Sequence, residues 1–117
     1  MSKDKYIDKV ITWVEKRKIS SIQTTSEGYD DPKIFTNQST KDQVQADVSF
    51  TIDNATHYSE IALKCDNTRK LVTRWKLLST MANIKKGQLH LFAPKGHKIF
   101  TKKLVEDNNI DALIHSL

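Results

Sequence analysis

The chain has 117 residues and a net charge of +5, with 38% apolar residues, three glycines and a single cysteine. That length suits one domain with a core of its own, and the apolar content exceeds that of a disordered chain. One cysteine excludes an internal disulfide framework, and no apolar run approaches the roughly 20 residues of a membrane span. Met1-Ser2-Lys3-Asp4-Lys5 leads into an amphipathic stretch rather than the apolar run of a signal peptide, so a cytoplasmic location is expected. Charge is unevenly spread. Residues 1–63 hold eight Lys/Arg against ten Asp/Glu, a balance of −2, and residues 64–117 hold eleven against four, a balance of +7. A basic half of this kind either attracts phosphate backbones or provides a solvated surface.

Residues 4–17 place Ile7, Val10, Ile11 and Val14 at helical spacing, widened by Tyr6 and Trp13, with Lys16, Arg17 and Lys18 suited to the C-terminal end. Residues 19–25 read as a strand, 26–32 as a turn-rich loop, 33–36 as a short extended piece and 37–43 as loop. The alternation over 44–53 predicts one strand, with Val44, Ala46, Val48, Phe50 and Ile52 on one face and Gln45, Asp47, Ser49, Thr51 and Asp53 on the other. Asp53-Asn54-Ala55 supplies a hairpin turn, and 57–65 returns as its partner. Residues 68–84 form a helix capped by Asp66 or Thr68, with Leu71, Trp75, Leu78 and Ala82 along one face and Gly87 as its stop. A short strand over 88–93, a helix over 98–107 and a last strand over 110–116 complete the chain. The order predicts a single α/β domain over residues 1–117, with helices on a mostly continuous mixed sheet.

Asp47 and Glu60 lie on facing strands of the predicted hairpin. Two carboxylates side by side are hard oxygen ligands for a divalent cation, which can activate water at a phosphate. Polar residues on a solvated hairpin face are equally ordinary. The histidines His57, His90, His97 and His115 show no metal-ligand spacing, Cys65 has no sequence-local base, and no phosphate-binding glycine loop is present.

The element order, with Gln45-Ala46-Asp47 and Ser59-Glu60-Ile61-Ala62, resembles the PD-(D/E)xK, or restriction-endonuclease-like, nuclease superfamily. Glu27-Gly28-Tyr29-Asp30-Asp31-Pro32, Arg74-Trp75-Lys76-Leu77-Leu78 and Gly87–Gly96 resemble flanking segments of its small members. The resemblance spans nearly the whole chain. It implies a restriction-endonuclease-like core, with Asp47 and Glu60 holding magnesium or manganese and DNA or RNA as substrate. It further implies an added acid from Glu15 or Glu27, as in relatives that use a helix glutamate. The motif is incomplete: Ala46 replaces proline, and Ala62 stands where the lysine belongs. Lys64, on the same strand face about 7 Å further along, is the candidate catalytic lysine beside Asp47 and Glu60, its long side chain leaning back toward them. Lys70, Arg74, Lys85 and Lys86 are candidate phosphate contacts. Three readings follow: a divergent metal-dependent nuclease, a nucleic-acid-associated relative without cleavage, and a non-enzymatic protein-interaction module.

Overall fold

The computed structural model describes residues 3–117. Helix α1 (Asp4–Glu15) is followed by strands β1 (Ser21–Thr24), β2 (Ile34–Thr36), β3 (Gln43–Gln45), β4 (Val48–Ile52) and β5 (Ala55–Ile61). Helix α2 (Thr68–Ile84), strand β6 (Leu89–Ala93), helix α3 (Lys98–Asp107) and strand β7 (Ala112–Ser116) follow. A five-stranded mixed sheet has the order β1-β4-β5-β6-β7. The first three strands pair antiparallel, and β5-β6-β7 are parallel, joined through the two later helices. The expected α/β class with a mixed sheet and flanking helices is therefore observed. Among the described residues, no helix is long and apolar enough to cross a membrane.

The sheet separates two apolar layers. On one face Ile7, Val10, Ile11 and Val14 of α1 meet Val48, Phe50, Ile61 and Phe92. On the other, Trp75, Leu78 and Ala82 of α2 meet Tyr58, Ala62, Leu89 and Leu91. The helical stripes read from the sequence fill both layers, as burial of one amphipathic face requires.

Two boundaries differ from expectation. The segment 44–53 is not one strand. β3 leaves the main sheet and pairs with β2, with Phe35 opposite Val44. As a result Val44 and Ala46 join the α2 layer, while Val48 and Phe50 join the α1 layer. The chain thus changes face between Ala46 and Val48, and Asp47 sits at the change. The returning strand ends at Ile61 instead of residue 65, which leaves Lys64 beyond it.

Local signals also acted through other atoms than expected. Asp53 and Asn54 both have positive φ, 50° and 67°, as a two-residue type I′ hairpin turn demands. The cap of α2 is Asn67, whose Oδ1 accepts from the Lys70 amide at 3.1 Å, rather than Asp66 or Thr68. Gly87 does follow α2, but Lys86 takes the left-handed conformation there, with φ 66°. What Gly87 provides is room: a Cβ at this position would run into the Thr56 backbone carbonyl of β5. Gly87→Ala is therefore expected to lower stability by about 1–3 kcal/mol or more, since backbone cannot yield as a side chain can. Equilibrium denaturant melts check this, and a neutral result would contradict the close approach.

Candidate functional site

The hairpin register places Val48 opposite Ser59, so Asp47 and Glu60 meet at the end of the β4-β5 ladder. Each carboxylate takes the other strand's backbone. The Asp47 amide donates to Glu60 Oε2 at 3.0 Å, and the Ile61 amide donates to Asp47 Oδ2 at 2.8 Å. Side-chain oxygens thus replace the ladder carbonyls that are missing where β3 peels away. Thr24 of β1 closes the other side, its hydroxyl donating to the Asp47 carbonyl at 3.0 Å.

Two cations reach this pair. The guanidinium of Arg74, from the second turn of α2, forks onto Glu60: Nε donates to Oε1, and Nη2 donates to Oε2 at 3.0 Å. Nη2 also donates to the Gln45 carbonyl, tying α2 to β3. Lys3, just before α1, places Nζ 3.2 Å from Asp47 Oδ2. Glu60 is only 1% exposed. Burial, joined by the Asp47 charge, pushes its carboxyl up to about 7 against the pull of Arg74 and Lys3.

The remaining sequence candidates are dispersed. Ala62 is fully buried in the α2 layer, so the place expected of a lysine is closed. The Lys64 amide donates to His97 Nδ1 at 2.9 Å, and its residue is exposed past the end of β5. Glu15 is the last residue of α1, and Lys3 precedes its first. At 1.5 Å per residue, those 12 residues put Glu15 about 18 Å along the axis from Lys3, too far to act as a third acid. Glu27 is exposed in the loop after β1. Lys85 and Lys86 lie at the far end of α2, about 22 Å from Lys70 by the same rise, and they cannot share one short contact with it.

The arrangement as it stands does not fit a divalent cation. Both Glu60 oxygens and Asp47 Oδ2 already carry donors, and two positive side chains occupy the surroundings. Among the described residues, no group of three or more His, Cys, Asp or Glu side chains is placed to hold a metal ion.

What the arrangement does offer is a basic cleft. Arg74 borders three adjoining depressions. One, of roughly 350 Å³, includes Asn67, Arg69, Lys70 and Thr73, with Asp42 on the opposite wall as its one acid; another includes Lys3 and Lys70; the third reaches Asp47 and Gln45. Arg69 was not among the sequence candidates. Its signal was available, because it lies in the first turn of α2 beside Lys70.

A second cluster was also missed. His57, His90 and His115, on adjacent strands, form a row on the α1 face: His90 Nδ1 lies 2.9 Å from His115 Nε2, and His90 Nε2 lies 3.2 Å from His57 Nδ1. Trp13, Phe50 and Phe92 pack around them. Linear spacing hid this row because the sheet, not the chain, brings its members together.

Comparisons with protein families, with curated proteins and with solved structures find no match to this chain.

Proposed function

We propose that the chain is a nucleic-acid-binding domain of restriction-endonuclease-like architecture that holds phosphodiester backbone without hydrolysing it. The observation that carries this reading is the cleft at the start of α2, where Arg69 and Lys70, cations with no carboxylate partner among the described residues, line adjoining depressions with Asn67 and Thr73. Arginine and lysine there can contact successive phosphates, while Asn67 and Thr73 add neutral polar groups. The architectural part draws support from an acid-bearing antiparallel hairpin followed by a helix and a parallel strand. The absence of hydrolysis draws support from Ala62, which is buried, and from Lys64, which lies outside the strand.

Hydrolysis assisted by magnesium or manganese at Asp47 and Glu60 is the competing reading, favoured by the contact between the two acids. It requires Arg74 and Lys3 to give up their present partners.

Fluorescence anisotropy with labelled single- and double-stranded DNA and RNA tests the proposal. Binding should weaken steeply with salt. Arg69→Ala/Lys70→Ala should weaken it further and reduce the logarithmic salt slope by about one for each phosphate that is no longer neutralised. Binding indifferent to salt and to both residues, or no binding at low salt, overturns it. Manganese-dependent cleavage abolished in Asp47→Asn would instead establish the hydrolytic reading.

A further inference from the structure

We infer that Arg74 is the resident cation of the Asp47–Glu60 pair: its guanidinium takes the place a divalent ion would hold, so the native domain has no metal requirement. The inference rests on the site geometry and stands whether or not the cleft binds nucleic acid.

Glu60 is buried almost completely, and an ionised carboxylate in such a place needs a compensating charge. A planar guanidinium supplies one with directed donors, and here it meets both Glu60 oxygens. Its further bond to the Gln45 carbonyl fixes it from a second element. Lys3 does the corresponding work at Asp47. With Glu60 ionised, the four side chains carry two negative and two positive charges, so the group is neutral without any ion. A divalent cation entering it would face two positive neighbours, and three of the four carboxylate oxygens already accept hydrogen bonds. Arginine cannot lose its proton to make way, because its guanidinium stays charged across the working pH range. The same residues explain why a motif that reads as metal-binding in sequence is closed to metal in the fold. Arg74 follows Glu60 by 14 residues, and only the α2 crossover brings it back.

The inference predicts a gain rather than a loss. Arg74→Gln keeps a polar group beside Glu60 but removes the charge, leaving two adjacent carboxylates uncompensated except by Lys3. Divalent-ion affinity should then rise by about tenfold or more, since a unit charge a few Å away has been withdrawn. Wild type, Arg74→Gln and Arg74→Gln/Asp47→Asn would be titrated with manganese alone, without nucleic acid. Bound ion is followed by electron paramagnetic resonance, and folding by circular dichroism. The expected pattern is no saturable binding in wild type, binding in Arg74→Gln and none again in the double variant. If Arg74→Gln is unfolded in buffer, manganese should restore its folded spectrum where sodium at equal ionic strength does not. Saturable wild-type binding that Asp47→Asn abolishes would overturn the inference. So would a folded Arg74→Gln with no rise in affinity, or an unfolded one that manganese fails to restore.

Discussion

Replacing Trp75 with alanine is expected to lower the unfolding free energy by about 3–5 kcal/mol, the cost of removing a large aromatic from a close-packed interior. Trp75 is fully buried in the layer between α2 and the sheet, in one cluster with Tyr58, Leu78 and Leu91. Its Nε1 has no hydrogen-bond partner. The indole therefore stabilises by filling volume, while its N–H is an unmet donor. Trp75→Phe should accordingly cost much less than alanine, because it keeps most of the ring and removes the unmet donor. The two variants together distinguish packing from a polar role. Guanidinium melts followed by far-ultraviolet circular dichroism would decide, since fluorescence changes with the residue itself. A drop below about 1 kcal/mol for alanine would show that Trp75 does not hold this layer together.

The layers were legible in the sequence because helix and strand periods are local. Ile7, Val10, Ile11 and Val14 announce a face wherever the helix docks, and Val48, Phe50 and Ile61 announce theirs. The turn at Asp53-Asn54 was legible for the same reason, as it depends on backbone preferences of two residues. The break at Ala46-Asp47 was not. Alternation continues unbroken through residues 44–52, and only pairing of β3 with β2 sends Val44 and Val48 to opposite faces. Alternation records which residues avoid water, not which of two layers receives them.

The site divides along the same line. That Asp47 and Glu60 would meet followed from the hairpin, and they do. That Arg74 would join them did not, because a basic residue in an exposed-looking turn of α2 reads as a phosphate contact until the crossover folds it onto β5. The burial of Glu60 was equally hidden. A glutamate on the same strand face as Tyr58 and Ala62 belongs to the face that α2 covers, and its charge is tolerable there only through the arginine. The consequence for function is direct. A pair of acids on a hairpin is evidence for metal only after the surrounding cations have been placed.

The histidine row gives this fold one acid-sensitive element. His90 is 6% exposed, and its pKa is lowered to about 3, first by burial and then by His115, His57 and Arg17. Burial also lowers His57 and His115, and Arg17 contributes at His115. Below pH 6.5 the unfolded chain binds a proton at His90 that the folded chain refuses. The stability this residue allows is thus complete above pH 6.5 and declines as pH falls toward 3, at about 1.4 kcal/mol per pH unit. Glu60 acts in the opposite sense. Its carboxyl is raised to about 7, so its contribution improves as pH falls from 7 toward the unfolded value near 4.5. The wild-type curve therefore mixes two opposed slopes, and the informative quantity is a difference. His90→Gln keeps a polar side chain between His57 and His115 but cannot take up the proton. Between pH 7 and pH 4, wild type should lose about 3 kcal/mol of stability relative to His90→Gln. Urea melts of both proteins across that range would measure it. A difference that stays constant with pH would mean that His90 protonates in the folded chain as readily as in water, and that the packed row of imidazoles does not exclude the charge.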